Sequence, residues 1–248
     1  MNITSINNAY IYTSKAINPI CSYIDKPEKQ KETAFKSSYD FLNPQLYHSN
    51  MVKISFSGLC SELKNVVDHC AYCGGKVYSE KEINKIVDDM IQLKGPELNK
   101  ALNNLIRDLT QPDKKAESLI QDKNETINKK RVRVLEKLCR LNIAEPGLTC
   151  EALIKDNIKD LRLSPKKLES RGATEILKFM FYPMIESVDH FEPKIKGGEN
   201  SRRNFVESCL GCNNLKSDMD PDNFLSRYPE VNYRIKRWEE EYKKKKCK

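Results

Sequence analysis

The sequence predicts an α+β fold that is mostly helical, and three features support this prediction. Apolar residues recur at helical spacing through most of the stretch 79–182. Two short runs typical of β-strands, 183–191 and 204–208, lie on either side of a turn-rich loop. Two Cys-x-x-Cys pairs bracket the helical stretch, so a metal clamp can join its two ends.

The chain begins with a segment, 1–50, that is rich in Ser, Asn and Lys and has no sustained hydrophobic period. We expect this segment to be disordered or loosely attached. It lacks the basic start and apolar centre of a secretory signal peptide, and no run of about 18 apolar residues occurs in the chain. The sequence therefore predicts a cytoplasmic protein that has no membrane partner.

The stretch 51–78 predicts a short amphipathic helix followed by a first cysteine knuckle, CAYCGG. The stretch 79–182 predicts an inserted helical bundle. Ser79 and Glu82 have the spacing of a capping box at the start of its first helix, and a Gly-Pro pair at 95–96 ends that helix. Local signals alone therefore divide this half of the chain into elements.

The last part of the sequence changes character after the bundle. The stretch 183–225 predicts a β-hairpin followed by an α-helix, with the second cysteine pair at the junction between strand and helix. The stretch 226–248 predicts a basic amphipathic helix and a tail that ends in KKKKCK.

Four of the nine cysteines form the two pairs, which are Cys70/Cys73 and Cys209/Cys212. An odd number of cysteines in a lysine-rich chain argues against a disulfide framework. Four thiolates from two knuckles suit tetrahedral Zn²⁺. The gap between the pairs is much longer than the usual spacing of roughly 15–20 residues, but an insertion whose ends lie close together leaves such a clamp intact. We predict one shared structural zinc; the alternative is a redox dithiol or unrelated thiols.

The second cysteine pair belongs to a longer pattern, VDHFEPKIKGGENSRRNFVESCLGCNNLKSD, at 188–218. This pattern, with the upstream CAYCGG, resembles the zinc-stapled four-cysteine branch of the HNH (ββα-metal) endonucleases. The positions that carry the resemblance in this stretch are Asp189, His190, Pro193, Gly197, Gly198, Asn204, Cys209, Cys212, Asn213 and Lys216. The resemblance implies a ββα-metal nuclease core into which the helical bundle is inserted.

The resemblance also implies four catalytic roles. His190 would be the general base that takes a proton from the attacking water. Asp189 and Asn213 would hold a catalytic Mg²⁺ or Mn²⁺ through hard oxygen atoms. Asn204 would pin the loop by hydrogen bonds from its side chain to the backbone. The sequence departs from the family name because its final position is Asn213 rather than histidine, and this favours a hard cation.

Basic residues surround the pattern, and the whole chain has a net charge of +8. Such an excess suits a polyanionic partner, and the set near the pattern could contact phosphates. This set consists of Lys194, Lys196, Arg202, Arg203 and Lys216. The predicted partner is therefore DNA, and the same chemistry permits RNA. Solvated surface charge is the alternative for each residue taken singly.

The sequence therefore predicts a metal-dependent HNH endonuclease, with a non-catalytic zinc module that binds nucleic acid or protein as the alternative. Three biological contexts agree with the resemblance. One is a defence nuclease that works with an ATPase, another is a nuclease toxin or effector that an immunity protein restrains, and the third is a homing or restriction enzyme. For an effector, export without a standard signal peptide is the alternative to a cytoplasmic location.

Overall fold

The computed structural model describes residues 67–161 and 172–246, which all belong to one compact unit, Ser61–Lys248. The predicted N-terminal segment 1–50, and the helix predicted just before the first knuckle, lie outside the described residues. Within the described part, helices dominate and the regular strands form one two-stranded antiparallel sheet. The prediction of a mostly helical α+β fold is confirmed.

The described helices and strands follow one another in an order close to the prediction. They are α1 (Glu80–Met90), α2 (Gly95–Thr110), α3 (Glu117–Lys123), α4 (Lys129–Ala144), α5 (Cys150–Asp156), α6 (Gly172–Phe181), β1 (Glu186–His190), β2 (Phe205–Cys209), α7 (Leu210–Lys216), α8 (Pro221–Arg227) and α9 (Glu230–Lys246). None of these helices is long and apolar enough to cross a membrane.

The first helix begins at the predicted capping box. The Ser79 N–H donates to a carboxylate oxygen of Glu82 at 2.8 Å, and the Glu82 N–H donates back to the Ser79 hydroxyl at 3.3 Å. Each bond satisfies an amide that would otherwise lack a partner at the helix start. Gly95 has a different role from the predicted one, because α1 already ends at Met90 and the Gly-Pro pair opens α2 instead.

The helices α1, α2, α4, α5 and α6 bury a single apolar core, to which α3 contributes no residue. Fully buried members include Val87, Leu98, Leu102, Leu135, Leu138, Leu153, Ile154, Ile176, Leu177 and Met180. One polar side chain inside this core joins two of the helices: Asn142 of α4 accepts from the Gly95 N–H at 3.0 Å and donates to the Gly95 carbonyl at 2.7 Å. A buried amide is stable there because both of its ends are hydrogen-bonded.

The hairpin that follows the bundle has regular pairing. Asp189 lies opposite Val206 and His190 lies opposite Phe205, with no bulge between them. Helix α7 starts directly after β2, so the order strand, loop, strand and helix follows the prediction. Because side chains alternate along a strand, Asp189 and His190 lie on opposite faces of β1.

The C-terminal helix α9 packs by an apolar face onto the rest of the unit. Val231, Ile235, Trp238 and Tyr242, spaced at three or four residues, are all buried. Next to them, Glu239 is only 9 % exposed, and among the described residues its Oε1 has no hydrogen-bond partner. Burial raises the pKa of Glu239 to about 7, against the opposing effect of the positive charges of Lys243, Arg202 and Lys236.

Glu239 is therefore expected to make the protein less stable as the pH rises from 4.5 to 7. Below pH 4.5 the carboxyl is protonated in both states, whereas at higher pH the unfolded chain ionises more easily than the folded one. Replacing Glu239 with glutamine should reduce the loss of stability between pH 4.5 and 7. It should also raise the urea concentration at the unfolding midpoint at pH 8. Urea unfolding at pH 4.5, 6 and 8 measures the effect, with the exposed Glu240→Gln as control. An unchanged pH profile in Glu239→Gln would contradict the prediction.

Candidate metal centre and adjoining hairpin site

The four paired cysteines form one buried cluster. The sulfur atoms of Cys73 and Cys209 are 3.9 Å apart, although these residues are 136 positions apart in sequence. The ligand atoms of the cluster all lie within 4.8 Å of one another, and the members are Cys70, Cys73, Cys209 and Cys212. Four sulfurs around zinc, with Zn–S bonds of about 2.3 Å, are separated by about 3.8 Å. The cluster has the donors and the size to hold a metal ion such as zinc.

The long insertion leaves this cluster intact because its two ends are neighbours. The Tyr78 N–H donates to the Met184 carbonyl at 2.9 Å, and the Glu186 N–H donates to the Tyr78 carbonyl at 3.0 Å. The first knuckle is in turn attached to β2, since the Ala71 N–H donates to the Glu207 carbonyl at 3.0 Å. The chain therefore enters and leaves the bundle at adjacent points beside the cysteines, and the two cysteine pairs stay together.

The surroundings of Cys209 favour a negatively charged sulfur. Burial acts to raise the pKa of this thiol, but hydrogen bonds with the other cysteines and the positive charge of Lys123 outweigh burial and hold the pKa well below its ordinary value. The Nζ atom of Lys123 lies 3.0 Å from the Cys209 sulfur and 3.6 Å from the Cys73 sulfur. A metal-binding thiol must lose its proton, so the surroundings of Cys209 favour metal binding at this sulfur, whereas burial raises the pKa of Cys70 and Cys212.

Asp189, predicted to bind a cation, lies on the face of β1 that α7 covers and is only 6 % exposed. The Tyr72 hydroxyl donates to its Oδ2 atom at 2.7 Å, and Lys216 Nζ lies 3.1 Å from the same oxygen. Burial raises the pKa of Asp189, although the charge of Lys216 and the Tyr72 hydrogen bond oppose the shift. Because Tyr72 lies between the two cysteines of the first knuckle, its hydroxyl links the cysteine cluster directly to Asp189.

Asn213, the second predicted ligand of that cation, lies one turn before Lys216 in α7. Its Nδ2 atom donates to the Ser187 hydroxyl at 2.8 Å. Ser187 and Asp189 share one face of β1, so α7 runs along this face and brings Asn213 and Asp189 onto facing elements. A carboxylate and an amide oxygen are donors suited to Mg²⁺ or Mn²⁺. Since Asp189 Oδ2 is already engaged, such a cation would use the other carboxylate oxygen.

His190 ends β1 on the opposite face and is half-buried. Its Nε2 atom lies 2.9 Å from the side-chain oxygen of Asn200, and its ring packs edge-on against Phe205 with ring centres 4.6 Å apart. Burial lowers the pKa of His190 below its ordinary value, although the Asn200 hydrogen bond and the charge of Asp189 oppose the shift. A neutral imidazole in one fixed orientation can accept a proton.

The loop after His190 is organised by Asn204. Its Oδ1 atom accepts from the Glu192 N–H at 2.7 Å, and its Nδ2 atom donates to the carbonyls of Glu192 at 2.9 Å and Glu199 at 3.1 Å. Gly198 is needed here because a Cβ atom would overlap the Glu192 carbonyl. These bonds connect both sides of the loop, which is the positioning geometry expected of Asn204.

The basic residues predicted to contact nucleic acid differ in their environments. Lys194 is exposed, and Lys196 is 44 % exposed while it pairs with Asp220 at 3.1 Å. Arg202 packs on the ring of Tyr242, with its guanidinium carbon 4.2 Å from the ring centre. The side chain of Arg203 lies outside the described part of the structure.

Lys216 differs from the prediction that it contacts phosphate. It is 1 % exposed, and its amine donates to the His190 carbonyl at 2.7 Å as well as pairing with Asp189. Its position one turn after Asn213 directs it onto β1, so in this fold it holds the end of the strand instead of reaching outward.

Three residues in contact with the predicted site were missed from the sequence: Tyr72, Lys123 and Asn200. Tyr72 had a usable signal, because it lies between two metal-binding cysteines. The other two had none, since a lysine in a distant helix and an asparagine in a polar loop look like ordinary surface residues. Their roles depend on contacts that only folding creates.

Comparison of the chain with protein-family models, with curated proteins and with solved structures found no match.

Proposed function

We propose that this protein is a metal-dependent endonuclease that hydrolyses phosphodiester bonds in DNA. The observation that supports this most is the arrangement at the end of β1. His190 is half-buried and held by Asn200, while the preceding residue, Asp189, lies on the other face of β1, which α7 with Asn213 covers. An oriented imidazole and two hard oxygen donors, brought together at the end of one strand, are the groups that phosphodiester hydrolysis uses.

The chain's own residues divide the work in this proposal. His190 accepts the proton of the attacking water, and Asn200 fixes the direction of the ring. Asn204 keeps the loop closed, so that the position of the His190 ring relative to the cation site stays constant. Asp189 and Asn213 would hold Mg²⁺ or Mn²⁺, which when bound would neutralise charge on the scissile phosphate and on the leaving oxygen. The cysteine cluster, closed by four sulfurs, supports the fold and leaves no position open for substrate.

Cleavage of supercoiled plasmid tests the proposal directly. The wild-type protein is incubated with plasmid in Mg²⁺, in Mn²⁺ and in EDTA, and nicked and linear products are measured. Metal-dependent nicking is the expected result. A parallel assay with a single-stranded RNA measures whether the same site accepts RNA. Failure to cleave either polymer would remove the nuclease proposal.

The loop that follows His190 is the part best placed to contact the substrate. Ile195 is 82 % exposed at its tip, between Lys194 and Lys196. Because Asn204 and Gly198 hold this loop closed, the tip is presented in one conformation. Lysines suit the phosphates, and an exposed apolar residue between them suits a sugar or a base edge in a groove.

Replacing Ile195 with alanine is therefore expected to weaken DNA binding about 3- to 10-fold, because contact area equivalent to about one buried methylene group is lost. Fluorescence anisotropy with a labelled duplex in Ca²⁺ measures binding without requiring catalysis. The control is Ile143→Ala, since Ile143 is also exposed, at 69 %, but lies on α4 of the bundle. Equal affinities of the two variants would show that Ile195 does not contact DNA.

One observation favours the second candidate, a non-catalytic zinc module. Asp189 is 6 % exposed, and its Oδ2 atom is already held by Tyr72 and Lys216. A carboxylate in these surroundings could be purely structural, as a link between knuckle and hairpin. In that case the protein would bind one zinc ion and nucleic acid without any cleavage.

A further inference from the structure

Lys123 is a buried cation that lies in the metal centre but belongs to the inserted bundle. It is the last residue of α3 and is 3 % exposed. Its Nζ atom contacts two sulfurs, one from each knuckle: Cys209 at 3.0 Å and Cys73 at 3.6 Å. Burying an ammonium is unfavourable unless a partner offsets the lost hydration. Here the partners are the sulfurs.

The path of the Lys123 side chain is shaped to reach those sulfurs. A Cβ atom at Gly211 would lie 2.7 Å from the Lys123 Cε atom, so glycine at this position leaves room for the lysine stem. Gly211 stands between Cys209 and Cys212 in the second knuckle. The second knuckle therefore leaves space at Gly211 for the side chain of Lys123, a residue of the bundle.

The helix that carries Lys123 is held along one face by Tyr228 and Glu230. The Ser118 hydroxyl donates to a carboxylate oxygen of Glu230 at 2.5 Å, and Asp122 accepts from the Tyr228 hydroxyl at 2.7 Å. Directly after Lys123 the chain makes a π-helical turn, Asn124–Asn128, before α4 begins. Such turns are rare and are often found at functional positions. This turn lets α3 face the cysteines while α4 packs in the bundle.

The charge of the metal centre explains what this lysine does. Four thiolates and one Zn²⁺ carry a net charge of −2, which is costly to bury. A neighbouring ammonium offsets part of that charge, and its N–H···S bonds reduce the electron density on the sulfurs. Groups that contact metal ligands commonly change metal affinity about 10- to 100-fold when they are removed.

We propose that Lys123 is a positioning residue of the metal centre, by which the inserted bundle stabilises the zinc tetrathiolate. Metal binding and the packing of α3 against the β2–α7 junction are thereby coupled. The bundle is in this respect part of the metal centre. The inference is independent of the proposed nuclease activity, because it concerns the cysteine cluster alone.

The test compares Lys123→Met with the wild-type protein. Methionine keeps the length of the stem and removes the charge, so zinc transfer to a coloured chelator should be about 10- to 100-fold faster. Cobalt substitution gives a second readout, since the sulfur-to-cobalt absorption band should shift when the N–H donor is lost. Lys123→Arg should restore part of the slow release. Lys129→Met is the matched control, because Lys129 is exposed on α4.

Wild-type zinc release together with an unchanged cobalt spectrum in Lys123→Met would overturn the proposal. Gly211→Ala provides an independent test if Lys123→Met does not fold. Its added Cβ would lie 2.7 Å from the Lys123 Cε atom and 3.0 Å from the Pro183 carbonyl oxygen, so the flexible lysine stem should move most. Every charge is retained, and zinc release should be faster. Release at the wild-type rate from a folded Gly211→Ala protein whose cobalt band is unshifted would equally reject the role of Lys123.

Discussion

Replacing His190 with alanine is expected to slow DNA cleavage about 100- to 10,000-fold, the usual contribution of a general base. The physical reason is that the imidazole, held by Asn200 at 2.9 Å, is the proton acceptor that the proposed reaction requires. DNA binding should change little, because Asn204 holds the loop by three hydrogen bonds that remain when His190 is replaced. Plasmid nicking in Mg²⁺ measures the rate, and duplex binding in Ca²⁺ measures the affinity.

His69→Ala is the matched control for this prediction. His69 lies 3.4 Å from Glu241, outside the hairpin loop, and its loss should leave cleavage unchanged. Asn213→Ala separates the roles further, since loss of a cation ligand should raise the Mg²⁺ concentration needed for cleavage. If His190→Ala nicks plasmid as fast as the wild-type protein, the base assignment fails. If neither protein nicks it, the zinc module becomes the better description.

Replacing Cys73 or Cys209 with serine is expected to remove the bound metal and to destabilise the protein by about 4 kcal/mol or more, as losses of structural metals do. Each cysteine comes from a different knuckle, and their sulfurs are 3.9 Å apart, so one substitution leaves three ligands around the ion. Elemental analysis should give about one zinc ion per wild-type chain. It should give far less in either variant.

Cys139→Ser is the control for the metal prediction, because Cys139 lies in the bundle near Asn103 and outside the cluster. Its zinc content should equal that of the wild type. Hydrogen exchange should show that the loss of structure in Cys73→Ser begins at the knuckles and at α7. Full zinc retention in both Cys73→Ser and Cys209→Ser would refute a shared site.

Signals that act over one or two turns were predictable from the sequence. The capping box at Ser79 and Glu82 formed as expected, because its partners are three residues apart in any helix. The hairpin formed at the two predicted strand segments, and Asp189 and His190 alternate along β1 as its pattern indicated. The four cysteines could be paired in advance because thiolate chemistry restricts their role, and an insertion with adjacent ends is inexpensive.

Contacts between distant elements were not predictable in this way. Lys216 looked like a phosphate contact because its charge suggested exposure, yet the turn that places Asn213 beside Ser187 also turns Lys216 inward. Lys123 looked like an ordinary surface lysine at the end of a polar helix. Its burial depends on the π-helical turn that follows it and on the space left by Gly211. Neither feature can be recognised from the residues that surround Lys123 in the sequence.

The sequence by itself determined the helical bundle, the hairpin and the two cysteine pairs, because periodicity and ligand chemistry are properties of short segments. The tertiary structure alone decided that the bundle reaches the cysteines through Lys123 and that Tyr72 joins the first knuckle to Asp189. The reason is physical: the hydration lost when a charge is buried must be offset by whichever group the fold brings near. The group that offsets the lost hydration can therefore come from any position in the sequence.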